Sequence, residues 1–242
     1  RISTTFAAAI SIPLSVTAAS AILFLQGSEL NCIVLLALVL AVLQGVAGLV
    51  GAARDREDLA AVTRPAAVAQ LLLVLLAYAL LTAAFVASDF SVKYVADNSN
   101  TLLPLVYRYT AVWGSHEGSL LLWALMLAVW NAAVAVLSGR IPWSFRARAL
   151  GVIGLVAVGF LSFMVFTSNP FERLLPAAAE GHDLNPLLQD PGMIIHPPLL
   201  YIGYIGFVVP FAFSLAALLE GAIDARWLRW SRPWTNVAWG FL

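Results

Sequence analysis

Charged side chains are missing from long stretches of this sequence, and the apolar runs left between them are about as long as a membrane is thick. Crossing about 30 Å of hydrocarbon takes about 20 helical residues at 1.5 Å per residue. A seventh run begins near Trp234 and reaches only Leu242, which is too short to span. The pattern predicts an all-α, polytopic transmembrane helix bundle with six complete spans plus the start of a seventh. The six complete runs are Phe6 to Leu25, Leu30 to Val50, Ala66 to Ala87, Ser119 to Leu137, Leu150 to Phe166, and Pro197 to Leu219.

The first apolar run allows two interpretations. Arg1, a short apolar stretch and small residues before Gln26 fit a leader peptide as well as a helix. We favour a helix, which would form a tight hairpin with the next run across Gln26 to Glu29. The domain organisation is then an added apolar segment, residues 1–28, followed by one membrane domain, residues 29–242.

Composition narrows the class of protein. Hydrophobic residues make up 62% of the 242 residues and charged residues only 11%, against about 25% charged residues in soluble domains. The formal net charge is zero, so the electrostatic attraction that nucleic-acid binding requires is absent. The single cysteine, Cys32, lies in an apolar run and cannot form an internal disulfide or a Cys-x-x-Cys pair. A partner must supply the thiols for any thiol chemistry.

Basic residues alternate along the chain and predict the orientation of the bundle. Because basic residues near helix ends stay on the cytoplasmic side, we expect the segments Asp89 to Gly118 and Asn169 to His196 to face outward. These outward segments hold only Lys93, Arg108 and Arg173. Three other connections collect nine of the thirteen basic residues: Arg54, Arg56 and Arg64, then Arg140, Arg146 and Arg148, then Arg226, Arg229 and Arg232.

The first outward segment contains a run of aromatic, glycine and polar residues from Tyr107 to Trp123. In one interpretation it is an interfacial aromatic belt, with Ser115 capping a helix that enters the bilayer. In the other, His116 and Glu117 orient a polar ligand group at the membrane surface. The pattern alone does not discriminate between them.

The second outward segment, Gly181 to Tyr201, is turn-rich. Proline suits the first turn of a helix and not its interior, so Pro197 and Pro198 predict a helix that starts there, with His196 immediately before it at the outer surface. A lone histidine at a helix start is more often a cap than a metal ligand. Haem iron nevertheless binds a neutral imidazole, which makes His196 a candidate ligand. His182 has no neighbouring proline and is expected on a solvated loop.

The two outward segments, taken in this order, resemble the CcmF family of bacterial cytochrome c assembly proteins, which includes the NrfE branch. The resemblance covers about residues 29 to 242. The matching stretches are Trp113 to Trp123, Asn185 to Gly192, His196 to Tyr204, and the helix opening at Trp234 to Leu242.

This resemblance implies a function in cytochrome c maturation in the bacterial inner membrane. Family members accept haem from a CcmE-like haem chaperone on the outer face. They then help to attach it to the Cys-x-x-Cys-His motif of apocytochrome c, together with CcmH-like subunits that bind or reduce the apocytochrome thiols. The absence of usable cysteines in this chain agrees with that division of labour.

The resemblance also implies roles for individual residues. His196 matches an external histidine that is an axial ligand of the incoming haem. We also expect a separate partner-docking or surface site composed of Trp113, His116, Glu117, Asn185, Gln189, Asp190 and Tyr201. The tryptophan-rich segment, a second external histidine and the ligands of a b-type haem are expected after Leu242, so this stretch alone should not be an active haem lyase.

Two other functions stay open. A haem transporter would need polar or charged groups lining a path through the membrane, and the runs offer only Gln44, Gln70 and Asn131. A scaffold that docks the chaperone and the apocytochrome without catalysis is the third hypothesis.

Overall fold

The structure, a computed structural model, describes residues 31–221 and 225–242, and this part of the chain is helical without a β-strand. A 3-10 turn spans Pro186–Gln189. The helices are α1 (Asn31–Ala53), α2 (Glu57–Ala60), α3 (Thr63–Ala87), α4 (Lys93–Asn98), α5 (Leu105–Ala111), α6 (His116–Leu137), α7 (Trp143–Phe166), α8 (Pro191–Gly206), α9 (Val208–Glu220) and α10 (Ala225–Gly240).

Five helical stretches of the described residues are long and apolar enough to cross a membrane. Each covers the described part of one of the predicted runs after the first, and the all-α prediction is confirmed for the described residues. The run from Phe6 to Leu25 lies outside the described residues. The five stretches are Asn31–Ala53, Glu57–Ala87, His116–Leu137, Trp143–Phe166 and Pro191–Glu220.

The bundle is built around α1, which packs most extensively on α7 and also on α3. Small residues allow the backbones of α1 and α7 to approach closely. A β-carbon built on Gly48 would lie 2.5 Å from the carbonyl oxygen of Ala147, and one on Gly154 would lie 3.0 Å from the amide nitrogen of Gly45. Close backbone approach through glycine is the usual basis of helix association in membranes, where lipid is as apolar as the side chains.

Three amides form a hydrogen-bond network inside the bundle. Gln44, Gln70 and Asn131 come from α1, α3 and α6 and are at most 2% exposed. Gln44 Oε1 accepts from Gln70 Nε2 (2.6 Å) and from Asn131 Nδ2 (3.0 Å). Gln44 Nε2 donates to Asn131 Oδ1 (2.9 Å) and to the Leu150 carbonyl (2.6 Å). The three amides therefore satisfy one another and tie four helices together.

The helical stretch from Pro191 to Glu220 is interrupted between Gly206 and Val208. Pro210 lacks the N–H that would bond to the carbonyl of Gly206, and its ring crowds that carbonyl. The chain therefore ends α8 and restarts as α9.

The final helix, α10, differs from the predicted start of a seventh span, because it begins at Ala225 and not near Trp234. Trp227, Trp230 and Trp234 are partly buried, whereas the three arginines and Trp239 are exposed. Two of the partly buried tryptophans pack on aromatic residues of the bundle: Trp230 lies 5.1 Å from Phe145, and Trp234 lies 6.1 Å from Trp130, between ring centroids. Because the helix is amphipathic, the boundary predicted from the apolar run alone was wrong.

The connections collect at two opposite ends of the bundle. At the arginine-rich end, Arg148 pairs with Glu220 (3.2 Å) and donates to the carbonyl of Ala52 (3.2 Å), joining α7, α9 and α1. At the other end, residues 88–115 and 167–190 form a polar layer, which we call the cap.

Candidate functional site

The cap is one folded unit made from two connections that are far apart in sequence. Val92 and Arg173 form an antiparallel bridge. Beside it, Lys93 pairs with Glu172 (3.1 Å) and Arg173 pairs with Asp89 (3.0 Å). The hydrogen bond and charge of Glu172 raise the pKa of the Lys93 ammonium. The two segments that the sequence placed on one side of the membrane are thus in direct contact.

A second set of polar contacts joins the two segments further along. The Thr101 backbone N–H and hydroxyl donate to the Glu180 carboxylate, at 3.0 and 2.6 Å, and the Asn100 side chain donates to Asp183. Thr101 and the backbone N–H of Gly181 both hold the pKa of Glu180 below its ordinary value.

Tyr94 holds the turn that precedes α6. Its hydroxyl accepts from the backbone N–H of Ser115 (3.1 Å) and lies within 3.3 Å of the carbonyls of Val112 and Ser115. Burial raises the pKa of the Tyr94 phenol, so it stays protonated. A β-carbon at Gly118 would lie 1.8 Å from the Val112 carbonyl oxygen, so this tight turn needs glycine. The helix begins after Ser115, as in the first interpretation of this segment, but the Ser115 side chain makes no capping bond.

His116 and Glu117 occupy the first turn of α6. His116 Nδ1 forms a hydrogen bond of 2.9 Å with the Ser168 hydroxyl, and its ring packs edge-on against Phe163 with 6.0 Å between centroids. Glu117 lies close enough to Lys93 to contribute to the raised pKa of that ammonium. His116 therefore interacts with the cap and the end of α7, and Glu117 interacts with the cap through charge.

Asn185 and Asp190 act as helix caps. Asn185 Oδ1 accepts from the backbone N–H of Leu187 (3.1 Å) at the start of the 3-10 turn. Asp190 Oδ1 accepts from the backbone N–H groups of Gly192 (2.8 Å) and Met193 (3.3 Å) at the start of α8. These bonds satisfy donors that a helix start leaves unpaired, so both residues shape the backbone in front of His196.

Gln189 and His182 have weaker anchors. Within residues 31–221 and 225–242, the partly buried Gln189 side chain makes no hydrogen bond. His182 is exposed, as expected, and its backbone N–H and Nδ1 face the carbonyl of Ala96 at 2.7 and 3.3 Å.

The predicted start of α8 was wrong. The helix begins at Pro191, after the cap residue Asp190, and His196 lies inside it, followed by Pro197 and Pro198 within the helix. The Asp190-Pro191 pair offers the same first-turn geometry as the later prolines, and its carboxylate satisfies two backbone donors at once. This earlier start is therefore preferred, and α8 retains two interior prolines.

An interior proline leaves the carbonyl four residues earlier without its helical donor. Pro198 does this to Ile194, and Trp113 Nε1 donates to the Ile194 carbonyl at 3.3 Å. Trp113 thus joins the turn before α6 to the helical turns that carry His196. This contact gives a structural role to one predicted surface-site residue.

Tyr201 belongs to an aromatic cluster one to two turns beyond His196. Its hydroxyl forms a 2.7 Å hydrogen bond with the Ser119 hydroxyl. Trp123 packs against Phe160, Tyr201 and Tyr204, with centroids 5.3 to 5.8 Å apart. The sequence analysis placed Tyr201 in the surface site, but its contact with Trp123 was missed because nothing local in the sequence indicates it.

His196 is exposed on the surface of α8. Its neighbours Ile195 and Leu199 are also exposed, at 58% and 42%. Gly203, about two turns later, lies on nearly the same face and is covered by the end of α10, since a β-carbon there would lie 2.9 Å from the Ala238 carbonyl oxygen. The imidazole therefore stands on an open, partly apolar helix face.

This face suits one axial side of a haem. Haem iron can bind an imidazole nitrogen and the macrocycle packs on apolar side chains, and His196 with Ile195 and Leu199 offers both. In the part of the chain that the structure describes, no group of three or more His, Cys, Asp or Glu side chains is placed to hold a metal ion. A chelate-type metal site is not formed by these residues.

Membrane-capable helices below a polar cap define a polytopic membrane protein, and sequence comparison identifies its family. The sequence model of the family described as "Cytochrome C assembly protein" matches residues 113–242. This chain belongs to that family, as the motifs predicted.

The relatives of this chain are named for cytochrome c biogenesis. CcmF of Pseudomonas fluorescens is 56% identical over 209 residues, which are 86% of this chain and 32% of that protein. CcmF of Escherichia coli K12 is 54% identical over 213 residues, 88% of this chain and 33% of that protein. NrfE of Haemophilus influenzae is 47% identical over 167 residues, 69% of this chain and 26% of that protein.

A solved structure named "Cytochrome c Heme Lyase CcmF" matches the fold with a TM-score of 0.76 and 28% sequence identity. The match covers 89% of this chain and 34% of that one. The chain thus spans about a third of the length of the proteins that it resembles.

Proposed function

We propose that the full-length protein is the haem-binding membrane subunit of a haem lyase. It accepts haem from a CcmE-like chaperone on the outer face of the bacterial inner membrane. It then helps to join the haem vinyl groups to the two cysteine sulfurs of the Cys-x-x-Cys-His motif of apocytochrome c. Family membership and the likeness to a structure named as a haem lyase support this proposal.

The observation that carries the proposal for this chain is the exposed imidazole of His196 on an apolar part of α8. His196 supplies one axial nitrogen to the substrate haem, while Ile195 and Leu199 contact the macrocycle. Trp113 and Asp190 position the first turns of the helix that bears the ligand. His116, which contacts the cap and α7, and Glu117, which lies near Lys93 of the cap, do not bind the iron.

The partners follow from the chemistry. The only cysteine, Cys32, lies in α1 among apolar residues, so the apocytochrome supplies the sulfurs and a CcmH-like subunit keeps them reduced. The cap, with its exposed polar surface, docks the chaperone and the apocytochrome. A b-type haem is expected in the full-length protein, bound by residues outside this chain.

The cap faces the periplasm in this proposal, because nine basic residues gather at the opposite end. The test is labelling of full-length protein that carries Cys32→Ser and one new cysteine, Asp183→Cys or Arg140→Cys. In intact cells an impermeant thiol reagent should label Asp183→Cys, and Arg140→Cys only after permeabilisation. The reverse pattern would contradict the orientation.

Transport of haem through the bundle is disfavoured. In the described membrane-capable helices, the buried amides Gln44, Gln70 and Asn131 form hydrogen bonds with one another and do not line a continuous channel. The cavity beside Gln70 and Asn131 holds only about 10 Å³, far smaller than a macrocycle. These contacts are those of a structural network.

The experiment that tests the function replaces His196 by alanine in the full-length protein. With haem limiting, the yield of cytochrome c should fall while the b-type haem remains, because only the delivery site is altered. His182→Ala is the matched control, since it removes another exposed histidine of the same segment. Normal yield from His196→Ala would show that His196 is not the ligand.

A further inference from the structure

A pocket of about 580 Å³ opens at the arginine-rich end of the bundle, on the far side from His196. It lies where α2 and the first turn of α3 meet the end of α6 and the start of α7. The described residues that line it combine positive charge, one carboxylate, an indole and apolar side chains. The residues that matter here are Glu57, Arg64, Val68, Val136, Trp143 and Arg146.

Two guanidinium groups are held at this pocket by backbone carbonyls. Arg64 Nε donates to the carbonyl of Ala135 (2.8 Å), and Arg146 Nη1 donates to the carbonyl of Ser138 (3.1 Å). A guanidinium has five N–H donors, so each arginine keeps several for a ligand. Within the described residues neither arginine forms a salt bridge, although Glu57 contributes one negative charge to the lining.

The wall of the pocket that runs along the membrane-capable helices is apolar. Val68 of α3 is 36% exposed and Val136 of α6 is 58% exposed. Trp143 stands beside the arginines, and tryptophan is enriched at the level of lipid headgroups. The pocket therefore has a cationic top and an apolar side, the chemistry of a phospholipid with its acyl chain along the helices.

We infer that this pocket binds an anionic phospholipid, with Arg64 and Arg146 on the headgroup phosphate and Val68 and Val136 along an acyl chain. Basic pockets between membrane helices bind acidic headgroups in this way. Two arginines against one glutamate favour an anionic over a zwitterionic lipid. A bound lipid there would brace α3, α6 and α7, the helices that also support the cap at the other end.

The same end of the bundle provides a matched control. Arg56 is on the connection that leads into α2, carries the same charge, and is paired with Asp58 at 2.7 Å outside the pocket. If the arginines act only through the general preference of basic residues for one side of the membrane, replacing Arg56 or Arg64 should reduce lipid retention equally. A specific lipid site predicts that only the replacement of Arg64 reduces retention.

The test uses full-length protein in phosphatidylcholine nanodiscs doped with phosphatidylglycerol, and measures retained phosphatidylglycerol by native mass spectrometry. At about fivefold for each arginine, Arg64→Gln with Arg146→Gln should weaken retention about 25-fold. Arg56→Gln should leave it unchanged, and Glu57→Gln should strengthen it. Equal loss from Arg56→Gln and from the pocket variants would overturn the proposal.

Two further experiments distinguish lipid binding from simple anion binding and from misfolding of the double variant. Inorganic phosphate, added in place of the lipid, should compete poorly; full displacement at low concentration would indicate a simple anion site and contradict lipid binding. If the double variant does not fold, photoreactive phosphatidylglycerol on the unaltered protein replaces it. Crosslinks should then map to the peptide that contains Trp143 and Arg146, and crosslinks that avoid this peptide would refute the site.

Discussion

The interior of the bundle and the cap are held together by different forces. In the bundle, α1 and α7 touch through glycine backbones, as at Gly48, and the polar groups are neutral amides such as Gln44 that bond to each other. In the cap, ion pairs and carboxylate bonds such as Arg173 with Asp89 join two segments, and many of these groups are exposed. The volume of a side chain decides which substitutions the bundle tolerates. The charge and hydrogen-bond geometry of a side chain decide which substitutions the cap tolerates.

The helix that bears His196 crosses the boundary between these regions. Asp190 and Trp113 fix its beginning from the cap, whereas Gly203 and Gly206 fix its later turns by close contact inside the bundle. The ligand candidate is thus oriented by polar contacts while its helix is anchored by packing. Changes in either region should have separable effects.

The largest effect is expected from adding volume to the bundle. Gly48→Leu would place its side chain against the backbone of α7, where the nearest atom is 2.5 Å from the new β-carbon. Overpacking of this kind costs about 1–3 kcal/mol or more. Thermal unfolding of the full-length protein measures this loss of stability. Gly159→Leu is the control, because a β-carbon at Gly159 meets nothing within 4 Å; equal destabilisation of the two variants would contradict the packing account.

A smaller, local effect is expected from Trp113→Phe. This change keeps an aromatic ring and removes the N–H that donates to the Ile194 carbonyl, a loss of about 0.5–1.5 kcal/mol. Amide hydrogen exchange should speed up in the first turns of α8, around His196. Trp130→Phe removes a similar donor from the Ile202 carbonyl and should affect only later turns. Unchanged exchange near His196 in Trp113→Phe would disprove the positioning role.

The smallest effect is the response of the cap to acid. Burial raises the pKa of Asp89, but hydrogen bonds from Ser91 and Arg173 outweigh it and hold that pKa below its ordinary 3.8. The pKa of Glu180 is also lowered. Groups with a lowered folded pKa stabilise the cap fully above their ordinary pKa, and this stability is lost as the pH falls through the folded value. The amide network of the bundle does not titrate.

Hydrogen exchange, corrected for the intrinsic effect of pH, should therefore show the Thr101 amide losing protection as the pH falls through the lowered pKa of Glu180, while amides of the bundle remain protected. Glu180→Gln should remove most of this pH dependence at Thr101. The prediction would be contradicted if bundle amides lost protection at a higher pH than Thr101, or if the protection of Thr101 did not change with pH.

The sequence predicted the helical class and located five membrane-capable helices, because long uncharged runs reflect the demands of lipid directly. It placed the start of α8 wrongly, since Asp190-Pro191 and Pro197-Pro198 both carry helix-start patterns and only the structure shows which backbone donors are capped. The start of α10 was also predicted wrongly. Residues before the apolar run are helical as well, because aromatic side chains such as Trp230 pack on the protein.

Contacts between distant segments could not be predicted. Tyr94 lies outside every motif, yet it holds the turn before His116. Gln44, Gln70 and Asn131 were visible as polar exceptions, but their mutual bonding depends on how three helices are aligned. Such pairings are properties of tertiary packing.

The most direct test of the haem-delivery account is the axial ligand itself, measured by electron paramagnetic resonance of full-length protein loaded with substrate haem. His196→Ala should lose the signal of the delivered haem, keep that of the b-type haem, and regain the lost signal and cytochrome c yield when free imidazole is added. Unchanged spectra and yield in His196→Ala, with haem limiting, would contradict the account and leave His196 as a residue of the helix surface.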